Sequence, residues 1–169
     1  MNRPIYKELT TEIIDSIDDN DLEQAVIDNI YKQVGDDYNK EFSNVQKLTK
    51  GQQAMFSVWW VEAEVNNGGF NQFYFNSSGQ YAEMAEDGFE LFGASKFANL
   101  MRRANKIYEE NRERLEEFDD GTMESFSESY KDNPLNTLDE EFYELYNSEP
   151  LNELRIAYIR KHPTEFTQK

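Results

Sequence analysis

Two adjacent glycines, Gly68 and Gly69, constrain the fold of this chain more than any other feature. They stand between an apolar run of helical period, residues 54–65, and an aromatic cluster, residues 70–75. Glycine adopts positive φ without the cost of a Cβ clash, so the pair lets one helix end and another begin within a residue or two. The two asparagines just before the pair also tolerate the left-handed region and cap backbone groups. The pattern predicts a helix junction packed by aromatic side chains.

Length and aromatic content indicate one ordinary folded domain. The chain has 169 residues, of which 14% are aromatic, with twelve Phe and ten Tyr. Each buried aromatic ring removes roughly 150–250 Å² from water, so a modest number of them builds a core. We expect an all-α single compact domain of about seven to ten helices over residues 1–169. Within it, residues 1–48 should form N-terminal helices that pack on a core of residues 49–169.

Apolar residues at helical spacing predict helix after helix along the chain. The central helix should begin at Thr49, which forms a capping box with Gln52, and end at the double glycine. Residues 36–48 are compatible with a short helix or a packed loop. No run alternates long enough for a strand, and for Phe70–Phe75, where aromatics also suit strands, the helical neighbours favour a helix. The other helices expected are 4–17, 22–34 closed by Gly35, 69–76, 81–92 closed by Gly93, one from Ser95 that includes 109–120, 122–131, one after Asn133-Pro134, and one from Pro150 that stops before Pro163.

The chain is strongly acidic. Thirty-four acids against 17 bases give a net charge of −17. Such an excess disfavours direct binding to nucleic acid or to an anionic membrane and favours basic partners, although high charge also serves solubility. There is no cysteine and no apolar run long enough to span a membrane, and the sequence as given begins without an apolar signal core. We therefore expect a cytoplasmic protein that does not contact membranes.

Most of the excess charge falls in residues 109–149, which hold fifteen acids and three bases. Read as one helix, residues 109–120 span about 18 Å and carry five net negative charges, whereas duplex DNA of that length carries about eleven. Neighbouring helices, or a second copy in a homodimer, would have to supply the rest. Because the Debye length is about 8 Å, only acids on one face act together. The acids expected to bind a partner are Glu109, Glu113, Glu116, Glu117, Asp120, Glu124 and Glu128.

The double-glycine stretch resembles the signature of a widespread family of small, acidic, all-helical bacterial proteins, most of them uncharacterised. One studied member is a DNA mimic that blocks a transcription factor. The resemblance covers the chain from about residue 50 onward and implies an all-helical fold, but it supplies no catalytic residue. The positions that carry it are Glu64, Asn67, Gly68, Gly69, Phe70, Gln72, Asn76 and Gly79, and near the C-terminus Tyr158, Ile159, Arg160, His162 and Pro163 also match. The motif residues themselves are interpreted as structural.

Charge and resemblance together predict an acidic protein-interaction module that mimics DNA and occupies the basic surface of a DNA-binding transcription regulator. Three alternatives stay open. The acids are also compatible with a merely solvated surface, in which pairs such as Glu110–Arg114 neutralise each other. An immunity-type inhibitor of a basic toxin would use the same surface. A ligand-binding protein or enzyme would have a pocket near Asn67–Phe75, lined by Asn67, Gln72, Asn76 and Trp60.

Other candidate sites fail on their residue types. His162 is the only histidine, and its position before Pro163 suits a helix C-terminus rather than a metal or nucleophilic site. An EF-hand centred on Gly121 would place Phe118 and Ser127 where carboxylates are required. A looser divalent-cation site among these acids stays open. The prediction is a protein that is not an enzyme and has no cofactor and no resident metal.

Overall fold

The computed structural model describes residues 4–167. All regular structure in this range is helical: nine α-helices and four 3-10 segments, with no strand. The all-α expectation and the expected number of helices are therefore confirmed, while residues 1–3 and 168–169 of the predicted domain lie outside the described residues. The α-helices are α1 (Thr11–Ser16), α2 (Asp19–Val34), α3 (Glu41–Val45), α4 (Lys50–Phe75), α5 (Ala82–Leu91), α6 (Ser95–Glu116), α7 (Met123–Glu128), α8 (Asp139–Leu145) and α9 (Leu151–Lys161). The 3-10 segments are Tyr38–Lys40, Ser77–Tyr81, Pro134–Leu138 and Pro163–Glu165.

Helix α4 is the centre of the molecule. It begins with the predicted capping box, in which the Thr49 side chain accepts from the Gln52 N–H and the Gln52 side chain accepts from the Thr49 N–H. Helix α5 packs closely on it, because Gly88 brings the two backbones together near Ala54. Helix α6 then packs on α5. The core of large side chains that this arrangement buries is dominated by aromatics, including Phe56, Phe70, Phe73, Tyr81, Phe89 and Phe97.

The N-terminal helices pack on the same core. Helix α2 contacts both α4 and α9, and its Tyr31 ring lies edge-on to Trp59 with ring centroids 5.6 Å apart. Trp59 in turn lies edge-on to Trp60 at 5.1 Å. The guanidinium of Arg160 on α9 binds the carbonyl of Ile17 and the carboxylate of Asp19, and so joins both ends of the domain.

The helix expected over residues 4–17 is wrong in its first half. Helix α1 begins only at Thr11, because the Thr10 side chain accepts from the N–H of Ile13 and caps a new helix there. Ile5, which fitted the helical spacing, is 73% exposed, whereas Leu9 is buried from an irregular segment. The apolar spacing therefore predicts correctly that Leu9 is buried, but it predicts wrongly that the backbone there is helical.

As predicted, one helical stretch ends and another begins at the double glycine, and the two stretches together form the kinked α4. Gly68 (φ −153°, ψ 27°) and Gly69 (φ 73°, ψ −178°) leave helical geometry, and a second helical stretch then runs to Phe75. The short aromatic helix predicted over 69–76 is thus the second half of α4. Gly35 and Gly93, the predicted helix-closing glycines, both have φ of 77°.

The predicted helix over 109–120 is also too long. Helix α6 ends at Glu116, and the chain turns before α7 starts at Met123. Of the two alternatives for residues 36–48, the short helix is correct: α3 follows an exposed 3-10 turn and buries Val45. Asn133 caps Pro134–Leu138 as expected, although as a 3-10 segment. Helix α9 stops before Pro163, and His162 closes it while packing on the Tyr158 ring at 4.5 Å.

Candidate functional site: the acidic surface and the kink of helix α4

All seven acids predicted to bind a partner are exposed. Three of them, Glu109, Glu113 and Glu116, follow one another at spacings of four and three along the last turns of α6, so they share one side of that helix. The others follow on the turn and on α7: Glu117, Asp120, Glu124 and Glu128. The segment therefore presents its carboxylates to solvent over two helices and the turn between them.

Cations neutralise part of this surface. Arg112 lies on the same side of α6, donating to Glu116 at 2.7 Å and lying 3.9 Å from Glu109. The carboxylate of Glu116 raises the pKa of the Arg112 guanidinium above its ordinary value. Just beyond α7, Lys131 pairs with Glu128, the last residue of that helix, at 2.7 Å. Exposed pairs of this kind contribute little stability, but each cancels local charge.

The remaining four carboxylates divide into two kinds. Asp120 accepts from the N–H of Thr122 at 2.9 Å and from its hydroxyl at 2.7 Å, and these hydrogen bonds lower the pKa of its carboxyl. Asp120 therefore also shapes the turn. Glu113, Glu117 and Glu124 form no ion pair within residues 4–167. These three and Asp120, which is hydrogen-bonded but not ion-paired, carry the uncompensated charge of the surface.

The polar motif residues bind one another. The buried carboxylate of Glu64 accepts from the side-chain amides of Gln72 at 2.6 Å and of Asn76 at 2.9 Å. These bonds tie the first half of α4 to the second half across the kink. Phe70 packs edge-on against Phe142 at 5.7 Å. Only Asn67 among the polar motif residues has an exposed side chain without a hydrogen bond inside the described range.

Three side chains from the acidic C-terminal part of the chain bind the backbone at the kink. The hydroxyl of Tyr143 donates to the carbonyl of Val65 at 2.8 Å, and that of Tyr130 donates to the carbonyl of Gly68 at 2.8 Å. The carboxylate of Asp139 accepts from the N–H of Phe70 at 2.9 Å. Helix ends leave such groups without intrahelical partners, so these contacts act as caps for the two halves of α4.

A Cβ at either glycine of the kink would displace the side chains that hold it. A Cβ on Gly69 would lie 2.3 Å from Asp139 Oδ2, and one on Gly68 would lie 2.2 Å from Gln72 Oε1. Gly79 lies against the backbone of Tyr74, with 3.0 Å left for a Cβ. The interpretation of the motif as structural is consistent with these close approaches.

We expect Asp139→Ala to lower the free energy of unfolding by about 1–3 kcal/mol, because it leaves the N–H of Phe70 unpaired in a partly buried position. Asp139→Asn keeps an acceptor oxygen and should cost less.

Burial raises the pKa of the Asp139 carboxyl, against the opposing effect of the Phe70 N–H. The folded state thus binds this proton more tightly, and wild-type stability falls as pH rises above the ordinary carboxyl pKa, a slope that Asp139→Asn reduces. Urea denaturation at pH 5 and pH 7 measures both effects, and equal stability of the two variants would contradict the capping role.

Comparison with known protein families identifies the chain's relationship. The model of the DMP19-like protein family matches residues 46–162, about two thirds of the sequence. The chain belongs to the DMP19-like family. The match agrees with the family expected from the double-glycine motif and begins near the predicted boundary at residue 50. No curated protein and no solved structure matches the chain.

The DMP19-like region contains little enclosed space beside the kink. The cavity lined by Tyr74, Phe75, Tyr108 and Leu115 has a volume of about 40 Å³, far below the roughly 300–1,000 Å³ of small-molecule sites. A wider groove of about 430 Å³ borders Asn76 but opens broadly to solvent. These two spaces do not have the lining proposed for the ligand-pocket alternative. No helix within residues 4–167 is both long and apolar enough to cross a membrane.

Sequence reasoning missed the residues that hold the kink. Tyr130, Asp139 and Tyr143 lie 62–78 positions from the backbone groups they bind, and no local spacing marks them. It also missed the buried Arg155, which pairs with Glu23 and Glu62 from two other helices. An arginine in an apolar stripe of a predicted helix was the available signal for that cluster.

Proposed function

We propose that this DMP19-like protein is an acidic protein-interaction module that mimics DNA. In this proposal its exposed carboxylates on α6, α7 and the turn between them occupy the basic DNA-binding surface of a transcription regulator. The observation that carries the proposal is the solvent exposure of seven acids along residues 109–128, four of which form no ion pair within the described residues. Membership of a family expected to include a DNA mimic supports it.

Electrostatics determines what such a surface binds. Carboxylates displayed at close spacing attract the lysines and arginines that otherwise contact phosphates, and they increase the rate of encounter at low salt. They repel nucleic acid and anionic membranes. The geometry of the kink supports a binding role over catalysis, because the polar motif groups other than Asn67 are occupied by one another or by backbone.

A competition experiment on duplex DNA tests the proposal. DNA-binding proteins from the native host's lysate are loaded on DNA-cellulose at low salt, and the purified protein is added as the eluant. We expect it to release a small set of basic regulators, identified by mass spectrometry, with release declining as salt is raised. Release of no protein would contradict the proposal, and capture of a basic toxin that does not bind DNA would favour the immunity-type alternative.

The sharpest variant removes only uncompensated charges. We expect Glu113→Gln, Glu117→Gln and Glu124→Gln together to weaken release about tenfold, since three rim charges at about 0.5 kcal/mol each sum to about 1.5 kcal/mol. A matched control neutralises three exposed acids on other elements, Asp15→Asn, Asp36→Asn and Glu153→Gln, and should release the regulator normally. Equal loss in both variants would show that net charge alone, and not this surface, determines binding. Far-UV circular dichroism confirms that helicity is retained.

A further inference from the structure

Helix α7 carries part of the acidic surface but has little packing of its own. None of its six residues is buried, and Met123 at its start is 76% exposed. Residues at positive φ flank the helix: Gly121 at 78° and Asp132 at 51°, the one non-glycine residue of this kind between residues 4 and 167. We call residues 121–132 the acidic arm. Such an element depends on a few specific contacts for its position.

Three side chains of the acidic arm contact α4 at the kink or beyond it. The Phe126 ring packs against Phe75 with centroids 4.7 Å apart. The buried side chain of Asn71 donates to the hydroxyl of Ser129 at 2.8 Å. Tyr130, whose ring lies edge-on to Phe126 at 5.2 Å, donates to the carbonyl of Gly68 at the kink. Outside α4, the side-chain amide of Asn136 donates to the carbonyl of Tyr130 at 2.8 Å, and the Arg114 guanidinium reaches the carbonyl of Asp132 at a longer 3.4 Å.

The residue after the arm extends the same network. Asn133 donates to the side-chain oxygen of Asn71 at 2.7 Å and to the carbonyl of Ser129 at 3.0 Å, and both asparagines are buried. A buried polar network with its partners in place specifies one arrangement of the chain. The end of the arm is therefore fixed to Asn71, two residues beyond the double glycine.

We propose that the double-glycine motif positions the acidic arm, and that Tyr130 is the positioning residue that connects the two. The kink presents the Gly68 carbonyl to the Tyr130 hydroxyl and directs Asn71 and Phe75 towards the arm. The motif thus contributes to the acidic surface without lying on it. The consequence for partner binding rests on the proposed function, whereas the positioning itself does not.

Hydrogen exchange of the intact protein tests the positioning. In Tyr130→Phe the ring stays on Phe126 while the bond to Gly68 is lost. We expect amides within residues 121–132 to exchange about tenfold faster, the effect of one lost hydrogen bond, and amides within 50–65 to be unchanged. Tyr146→Phe, which removes a hydroxyl bound to Glu62 instead, is the matched control and should leave the arm unchanged. Exchange that is unaltered in the arm, or raised equally in both segments, overturns the proposal.

The DNA-cellulose assay separates this proposal from the proposed function. Faster exchange confined to the arm, with weaker release of the regulator by Tyr130→Phe, supports both. Faster exchange in the arm without any release by the wild-type protein supports the positioning role and contradicts the DNA mimic. Release by the wild-type protein with no change of exchange in Tyr130→Phe overturns the positioning role alone.

Discussion

Replacement of Arg155 by alanine is expected to lower the free energy of unfolding by about 3–5 kcal/mol. Arg155 is 4% exposed on α9 and pairs with Glu23 of α2, at 3.1 Å, and with Glu62 of α4. Glu62 also accepts from the hydroxyl of Tyr146 at 2.7 Å. Removing the single guanidinium leaves two largely buried carboxylates facing each other, and the cost of such uncompensated charge exceeds the net contribution of the original pairs.

The same cluster predicts how that loss depends on pH. Burial raises the pKa of the Glu23 carboxyl, with attraction to Arg155 opposing the shift and repulsion from Glu62 adding to it. The folded state therefore holds this proton more tightly than the unfolded chain, so stability falls as pH rises above the ordinary carboxyl pKa. Without Arg155 the opposing attraction is gone, and we expect the deficit of Arg155→Ala to be largest at pH 7 and smaller at pH 5.

Guanidinium chloride denaturation at both pH values measures the effect. The control is the triple variant Glu23→Gln, Arg155→Met and Glu62→Gln, which replaces the charged groups by neutral ones of similar volume and should lose much less stability than Arg155→Ala. The Nε of Arg155 and one oxygen of Glu23 have no partner in the described part of the chain, so the cluster is incompletely satisfied even in the wild type. A loss below about 1 kcal/mol in Arg155→Ala would contradict this account.

Gly69→Ala is expected to lower the free energy of unfolding by about 3 kcal/mol or more. The backbone of Gly69 (φ 73°, ψ −178°) lies in a region that glycine alone occupies without strain, and any other residue there costs about 1–3 kcal/mol. The new methyl group would in addition lie 2.3 Å from Asp139 Oδ2. Displacing Asp139 would unpair the N–H of Phe70 at a further cost of about 1–3 kcal/mol.

A second glycine in the same conformation separates the two causes. Gly35 has φ 77° and ψ 177°, and a Cβ there would meet no atom within 4 Å. Gly35→Ala should therefore show only the backbone cost. The difference between the two variants in urea denaturation measures the contact with Asp139, and the double variant Gly69→Ala, Asp139→Ala should recover part of it. Equal losses at Gly35 and Gly69 would show that the capping contact contributes nothing.

Local signals in the sequence predicted those parts of the fold that local chemistry determines. The Thr49–Gln52 capping box and the closing glycines Gly35 and Gly93 lie where short-range hydrogen bonds and positive φ require them. The predicted start of α1 is wrong because Ile5 fits the helical spacing although it precedes the N-cap at Thr10. Apolar spacing alone does not show which residue caps the helix. Apolar spacing indicates which residues would share one side of a helix, whereas the N-cap determines the residue at which the helix begins.

The exposure of the acidic residues could be predicted from the sequence, but their distribution over helices and turns could not. The seven acids are exposed as expected, yet α6 ends at Glu116, so they are divided between a helix, a turn and α7. The pairing of Tyr130, Asp139 and Tyr143 with the kink depends on how distant segments meet, which no periodicity encodes. The glycine motif could be located from sequence alone, but the side chains that hold it could not.

The position of the two tryptophans determines which part of this molecule tryptophan fluorescence reports on. Both tryptophans of the chain lie side by side on α4, edge-on to each other and next to Tyr31 of α2. Their intrinsic emission therefore reports on the packing of the N-terminal helices against the core. The segment from Gly121 to Asp132 contains no indole, so its detachment would not change tryptophan fluorescence while the rest of the fold stays intact. A label placed at Met123 would be needed to observe that motion in real time.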